Sequence, residues 1–302
     1  MDRITKNRLG RIHFVALDAA MAQYTPYKVG GKAEALAMPQ TEEQVLEILR
    51  FVNQHNVPHF FLGNGSNILI SDLGYDGVVI KLGKEFEKVT INGTIVNAGA
   101  AADLWTVIRM TALEGLSGLE ALSGIPGSLG GALFMNAGAY GKTISDHLVR
   151  VRCIDPETLR VSWIDQATIQ YEYRGSAISL YHLWAEFLLD LADVDKVKIA
   201  VAQYLAKRRQ SQPLSKPSAG CVFKNPPGLH AGLIIDELGL KGLAVGGAEV
   251  SSDHANFIVN TGGATASDIY ELMNIVKKTV KIRTDVELEL EVQLKGSFTE
   301  FE

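Results

Sequence analysis

The residues in this sequence whose types and spacing most suggest chemistry fall in two glycine-rich stretches. Gly63-Asn64-Gly65-Ser66-Asn67 places small residues between two apolar runs, Pro58 to Leu62 and Ile68 to Ile70. Successive amides in such a turn can form a concave nest for a phosphate, with Ser66 and Asn67 adding hydrogen bonds. A plain Gly/Asn turn accounts for the pentapeptide equally well. It is not a P-loop, because no Lys-Ser/Thr follows at the required spacing. It is not the Rossmann fingerprint either, which needs a helix after it. The second stretch is denser, with eight glycines in the 27 residues from Gly115 to Gly141 and Leu, Ile, Phe and Met interleaved. Ordering Gly124-Ile125-Pro126-Gly127-Ser128-Leu129-Gly130-Gly131 costs backbone entropy and leaves amides in need of partners. A dinucleotide pyrophosphate is a natural partner. Two such loops, neither of Rossmann type, point to a dinucleotide fold of another kind.

Other candidates are ambiguous when taken singly. Cys153 and Cys221 stand 68 positions apart with no Cys-x-x-Cys and no His/Cys cluster, so neither a metal nor a disulfide framework is indicated. Cys221 alone reads as a small buried thiol, and Arg174 alone as a surface arginine. Near the C-terminus, Val286, Leu288, Leu290, Val292 and Leu294 alternate with Glu287, Glu289, Glu291 and Gln293. That is a strand with one polar face, and spacing does not choose among its three glutamates.

The elements that must position these residues follow a mixed α/β pattern. Thr41 and Gln44 suggest a capping box ahead of the stripe Val45, Ile48, Leu49 and Val52. Strands are expected at Gly77–Leu82 and in a hairpin about Asn92-Gly93, then near 148–155, 159–165, 185–193 and 255–260. Helices are expected near 103–113, 194–209, 231–237 and after Thr265. Boundaries are expected at 1–82, 83–209 and 210–302, the last opening in the proline-bearing stretch from Gln210 to Gly220.

The 302 residues carry a net charge of −5, which supplies no bulk attraction for nucleic acid or an anionic membrane. Any anionic ligand must be held by a local cluster of amides or basic side chains. The basic N-terminus lacks a signal-peptide core, and no run of 18 apolar residues occurs. The expectation is a cytoplasmic protein with reduced thiols, without metal, nucleic-acid or membrane partner, and monomeric.

Seven segments, in order, carry a resemblance that single residues do not: TPYKVGGKAE, FLGNGSNILISD, LSGIPGSLGGALFMNAGAYG, YRGS, SAGCVFKNP, LKGLAVGGAEVS with HANFIVN, and ELEVQL. Together they resemble the UDP-N-acetylenolpyruvoylglucosamine reductases over roughly Tyr24 to Gly296. The resemblance implies a vanillyl-alcohol-oxidase-type FAD domain of two α/β subdomains, with a C-terminal α/β domain for substrate. It implies non-covalent FAD along Gly63–Asn67 and along Gly124, Ile125, Pro126, Gly127, Ser128, Gly130 and Gly131, with Asn136, Ala137, Gly138 and Ala139 near the flavin. NADPH would reduce FAD, and UDP-N-acetylglucosamine enolpyruvate would then be reduced to UDP-N-acetylmuramate for cell-wall synthesis.

The resemblance also assigns catalytic roles. Arg174 and Glu291 match the pair that stabilises an enolate-like intermediate, which asks for fixed positive charge and for a glutamate whose burial keeps its proton. Cys221 stands where the family usually has a proton-donating serine. A thiol with an ordinary pKa near 8.5 is a competent donor, at the cost of sensitivity to oxidants. Tyr173, Lys224, Asn225 and His254 match substrate-contacting positions. The short interval from Arg174 to Cys221 resembles the subclass without an extra tyrosine loop, which leaves Arg208 or Arg209 as candidates for the substrate diphosphate. Two other readings stay open: a flavin oxidase of the same superfamily, and a non-catalytic flavin or nucleotide-sugar sensor whose one support is Cys221 in place of serine.

Overall fold

The computed structural model describes residues 1–299. Helix Glu42–Gln54 turns Val45, Ile48, Leu49 and Val52 inward, each fully buried, and each such burial is worth about 1.5–3 kcal/mol. Thr41 accepts from the amide of Gln44, but the Gln44 side chain returns to the amide of Gln40 and not to that of Thr41. The expected capping box is therefore half formed. The helix lies with a four-stranded sheet in the order Val15–Ala20, Lys32–Ala37, Tyr75–Ile80, His59–Phe61. The first pair is antiparallel and the others parallel, with Leu36 opposite Val79 and Phe60 opposite Val79 on the other side.

A second sheet of five antiparallel strands runs in the order Val161–Asp165, Leu148–Ile154, Tyr181–Leu188, Ile95–Gly99, Val89–Asn92. Its hairpin turns at Gly93-Thr94, one residue later than the Asn92-Gly93 pair suggests, because Asn92 pairs with Ile95 and the positive φ falls on Gly93. Helices Leu104–Leu113 and Val194–Ser211 contribute to one core with this sheet.

The third core holds helices Ala231–Glu237 and Ala266–Thr284 and the strands Ala244–Val245, Ala248–Val250 and Ile258–Asn260. Thr265 and Asp268 form both halves of a capping box. This core also contains Tyr27, Val29 and Leu69 from the N-terminal region. The strand expected from Val286 to Leu294 pairs as a ladder only at Gln293–Lys295, which lies parallel to Ile68–Ile70. Upstream of it a single bridge joins Leu290 to Phe223. The alternation survives without the ladder: Leu288 and Val292 are buried, while Glu287 and Glu289 face solvent.

Candidate active site

Gly63–Asn67 turns the chain between His59–Phe61 and Ile68–Ile70. Gly65 has φ +70°, and a Cβ there would stand 2.7 Å from the carbonyl oxygen of Tyr24. Ser66 Oγ donates to the Pro126 carbonyl at 2.7 Å, which ties the two glycine stretches together. Asn67 reaches the far end of the chain. Its Nδ2 donates to the Glu291 carbonyl at 3.1 Å, and its own carbonyl accepts from Gln293 N at 2.9 Å.

The second stretch contains a short helix, Leu129–Phe134, that sequence propensity does not suggest, since two of its six residues are glycine. Ser128 caps it by accepting from Gly131 N at 3.2 Å. Gly127 O accepts from Leu104 N, while Leu129 N and Gly130 N donate to Ala102 and Ala100.

A cavity of about 1300 Å³ runs between these stretches. Gly63–Asn67, Gly124–Ser128, Gly130, Gly131 and Ala137–Ala139 all line it. Asn136 does not. It sits behind the wall, donating to the Glu172 carbonyl at 3.0 Å and accepting from Ser145 Oγ at 2.9 Å, and so braces the hairpin that carries Arg174. Six cations face the cavity, Lys28, Lys81, Lys216, Lys295, Arg174 and Arg208, against the two carboxylates of Glu87 and Glu291. In an acidic chain this is the local basic cluster that an anionic ligand requires. Lys81 carries no motif in the sequence. It extends past the strand Tyr75–Ile80 and donates to the Gly63 carbonyl at 2.8 Å. The cavity's size, its glycine walls and its positive lining fit a bound FAD.

A second cavity of about 430 Å³ lies beyond the first. Arg174, Cys221, Asn225, His254 and Glu291 line both, so the catalytic candidates stand at the junction. Arg174 occupies the tight turn between Tyr171–Glu172 and Gly175–Ser176, with φ +62°. Its Nε lies 2.7 Å from Glu291 Oε1, with the N–H out of line, so the contact is an ion pair without a directed hydrogen bond. Burial raises the Glu291 carboxyl above its ordinary range and outweighs the opposing pull of Arg174.

Cys221 follows Gly220, whose φ is +76°. The next residues are clamped by Asn256, which accepts from Phe223 N at 3.0 Å, returns a bond to Phe223 O at 2.8 Å and offers its carbonyl to Val222 N. Burial, and secondarily the Glu291 charge, push the Cys221 thiol up to about 12, against Arg174 and Arg208. The thiol stays protonated at neutral pH, and the thiolate that oxidants attack is scarce.

His254 accepts from Asn256 N through Nδ1 at 3.2 Å, which leaves Nε2 to carry the proton. Asn225 Oδ1 accepts from Ala231 N at 3.0 Å, and its own amide meets Tyr173 Oη at 3.3 Å. Tyr173 lines only the smaller cavity. Lys224 lines neither and pairs outside with Glu289 at 3.3 Å. Of the two arginines considered for a substrate diphosphate, Arg208 faces only the larger cavity and Arg209 faces neither. No group of three or more metal-ligating side chains occurs among the described residues, and no helix of theirs is long and apolar enough to cross a membrane.

Residues 33–161 match the FAD binding domain family model. With a cavity of this shape and charge, the chain is an FAD-dependent oxidoreductase. Residues 212–295 match the C-terminal domain of UDP-N-acetylenolpyruvoylglucosamine reductase. The chain is 38% identical to the UDP-N-acetylenolpyruvoylglucosamine reductase of Caldanaerobacter subterraneus subsp. tengcongensis and 42% identical to that of Geobacillus kaustophilus, over 93% of each chain. The solved reductase (MurB) from Thermus caldophilus superposes with a TM-score of 0.81 at 35% identity, covering 93% of this chain and 98% of that one. The chain therefore belongs to the UDP-N-acetylenolpyruvoylglucosamine reductase family. The expected fold, an FAD domain of vanillyl-alcohol-oxidase type with a C-terminal α/β region, is the one observed. The grass pollen allergen Phl p 4, at 11% identity and a TM-score of 0.50, shares only the fold.

Proposed function

We propose that the protein reduces UDP-N-acetylglucosamine enolpyruvate to UDP-N-acetylmuramate with NADPH, a step in making peptidoglycan precursors. One observation carries the reading: the Arg174–Glu291 pair and Cys221 lie where the two cavities meet, so two separately bound molecules would touch the same three side chains. FAD held by the larger cavity would supply hydride chemistry, with NADPH as the source of the hydride and the enolpyruvyl methylene carbon as its acceptor. Cys221 holds the proton for the neighbouring carbon. Arg174 presents fixed positive charge to the substrate carboxyl as negative charge develops there. Glu291, its carboxyl raised by burial, presents its own proton to the same group.

Gly63–Asn67, Gly124–Gly131 and Lys81 would hold the FAD phosphates, while Asn225, His254 and Tyr173 would face the sugar nucleotide in the smaller cavity. We read the protein as a cytoplasmic monomer; no helix among the described residues is long and apolar enough to cross a membrane.

The test is visible absorbance of the purified protein under anaerobic conditions. NADPH should bleach the bound flavin, and UDP-N-acetylglucosamine enolpyruvate should restore it. Bleaching without return would leave a flavin reductase with another acceptor. Oxygen consumption driven by a sugar or alcohol without NADPH would replace the reading with an oxidase.

A further inference from the structure

Two arginines line the larger cavity, and they are compensated differently. Arg174 pairs with Glu291 at 2.7 Å. Arg208 is 8% exposed and has no carboxylate partner among the described residues. Its Nε donates to the Ser123 carbonyl at 3.2 Å and its Nη1 to Gln212 Oε1 at 3.0 Å, both neutral acceptors. Gly124 makes room for it: with φ +79°, any Cβ there would stand 2.8 Å from Arg208 Cδ.

Burying a guanidinium without a counter-charge is costly, and arginine cannot relieve that cost by releasing its proton. A structure that keeps such a group has a use for its charge, and the position says which use. Arg208 lines the larger cavity and not the smaller one, which separates it from a sugar nucleotide bound beyond the junction. It shares the lining of the larger cavity with Tyr140, Cys221 and Arg174, whose charges act on it. The contact that joins the two glycine stretches, Ser66 to Pro126, involves a different part of the second stretch.

We propose that Arg208 is a positioning residue of the redox site, whose uncompensated guanidinium faces the negative charge that FAD gains on reduction. The inference rests on FAD occupying the larger cavity. A flavin that accepts a hydride, two electrons with one proton, gains one unit of negative charge, and a fixed cation beside it favours the reduced form. Arg208 has no bonding part in the hydride transfer. It holds the Ser123–Gly124 peptide through Nε and Gln212 through Nη1.

The experiment is a dye-equilibrated reductive titration of the purified holoenzyme, alongside FAD dissociation constants. It uses neither NADPH nor sugar nucleotide, so failure of the proposed reaction leaves it readable. In Arg208→Met the reduced-to-oxidised ratio at a fixed potential should fall tenfold or more, which is about 30 mV for a two-electron couple. Arg208→Lys should stay within threefold of wild type at neutral pH. It should then fall away as pH rises, because a buried ammonium loses its proton where a guanidinium does not. An unchanged potential in Arg208→Met overturns the proposal. So does a weaker FAD affinity at unchanged potential, which would mark Arg208 as a pyrophosphate ligand. If Arg208→Met fails to retain FAD, Arg208→Lys decides alone, and a curve parallel to wild type at every pH overturns the proposal.

Discussion

Gly63–Asn67 and Gly124–Gly131 are both glycine-rich and both border the larger cavity, but they are held by different means. The first is fixed from a distance: Asn67 is bonded on both sides to Glu291 and Gln293, more than 220 residues away. The second is fixed by its own flanks, through Leu104 to Gly127, Leu129 to Ala102, Gly130 to Ala100 and the Ser128 cap. The consequence is a division of labour. The first stretch is built into the same backbone as Glu291, while the second is packed against Arg208, the cation on the flavin side. The proposed cofactor seat and acid–base residues are thus coupled through the side chain and main chain of Asn67 in one loop and through the Arg208 side chain in the other.

The largest effect expected from this arrangement is at the junction itself. Cys221→Ala should leave reduction of the flavin by NADPH near wild type and slow its reoxidation by the enolpyruvyl substrate by a factor on the order of 10²–10⁴, the range of a lost general acid. Cys221→Ser should retain most of the rate. Stopped-flow absorbance separates the two half-reactions, and normal reoxidation in the alanine variant ends the assignment of Cys221 as donor.

Glu291 comes next. Its carboxyl is raised by burial, so the protonated form that the substrate carboxyl needs is lost as pH climbs through that raised value. Reoxidation should therefore decline on the alkaline side, while Cys221, pushed up to about 12, adds no limb in the same range. Glu291→Ala should cost a factor on the order of 10², whereas Glu291→Gln should cost less and flatten the pH profile. The same shift bears on stability. The folded state holds the proton more tightly than the unfolded chain, so stability falls as pH rises from the ordinary carboxylate value to the raised one. Denaturant melts of Glu291→Gln should lack that decline.

Much of this was legible in the sequence, for reasons that differ by element. The helix expected near 231–237 is found at Ala231–Glu237, and the start at Thr41 and apolar stripe expected of the first patterned helix agree with Glu42–Gln54. The strands Val15–Ala20 and Lys32–Ala37 were not legible. Their sequences, VALDAA and KAEALA, are alanine-rich and weak in β-formers, and they pair because the neighbouring strands present edges to them. Among the three alternating glutamates, periodicity gave no choice. The structure separates Glu291 because the chain turns it toward Arg174, while Glu287 and Glu289 stay in solvent. Lys81 and Asn256 escaped for a similar reason: each acts through contacts that only folding makes.

A smaller effect is expected from the backbone of the first stretch. Gly65→Ala places a Cβ at positive φ and 2.7 Å from a backbone oxygen that has nowhere to go. The expected loss is about 1–3 kcal/mol of stability, with weaker FAD retention, read by thermal melting with and without added FAD. An unchanged melting temperature would mean that this loop is looser than its long-range bonds imply.

The smallest effect tests whether the two stretches act as one unit. A Cβ on Gly63 would fall 2.2 Å from Ser128 Oγ, a side-chain atom that can rotate away. Rotation would release the bond from Gly131 N that caps Leu129–Phe134, so Gly63→Ala should cost about 1 kcal/mol, the worth of an N-cap. Ser128→Ala removes the same bond directly and also removes the obstacle. The two changes should therefore be non-additive, with Gly63→Ala nearly free in the Ser128→Ala background. Simple additivity in a double-mutant cycle would show that the stretches meet without coupling, and the difference in how each is held would then have no energetic consequence at their point of contact.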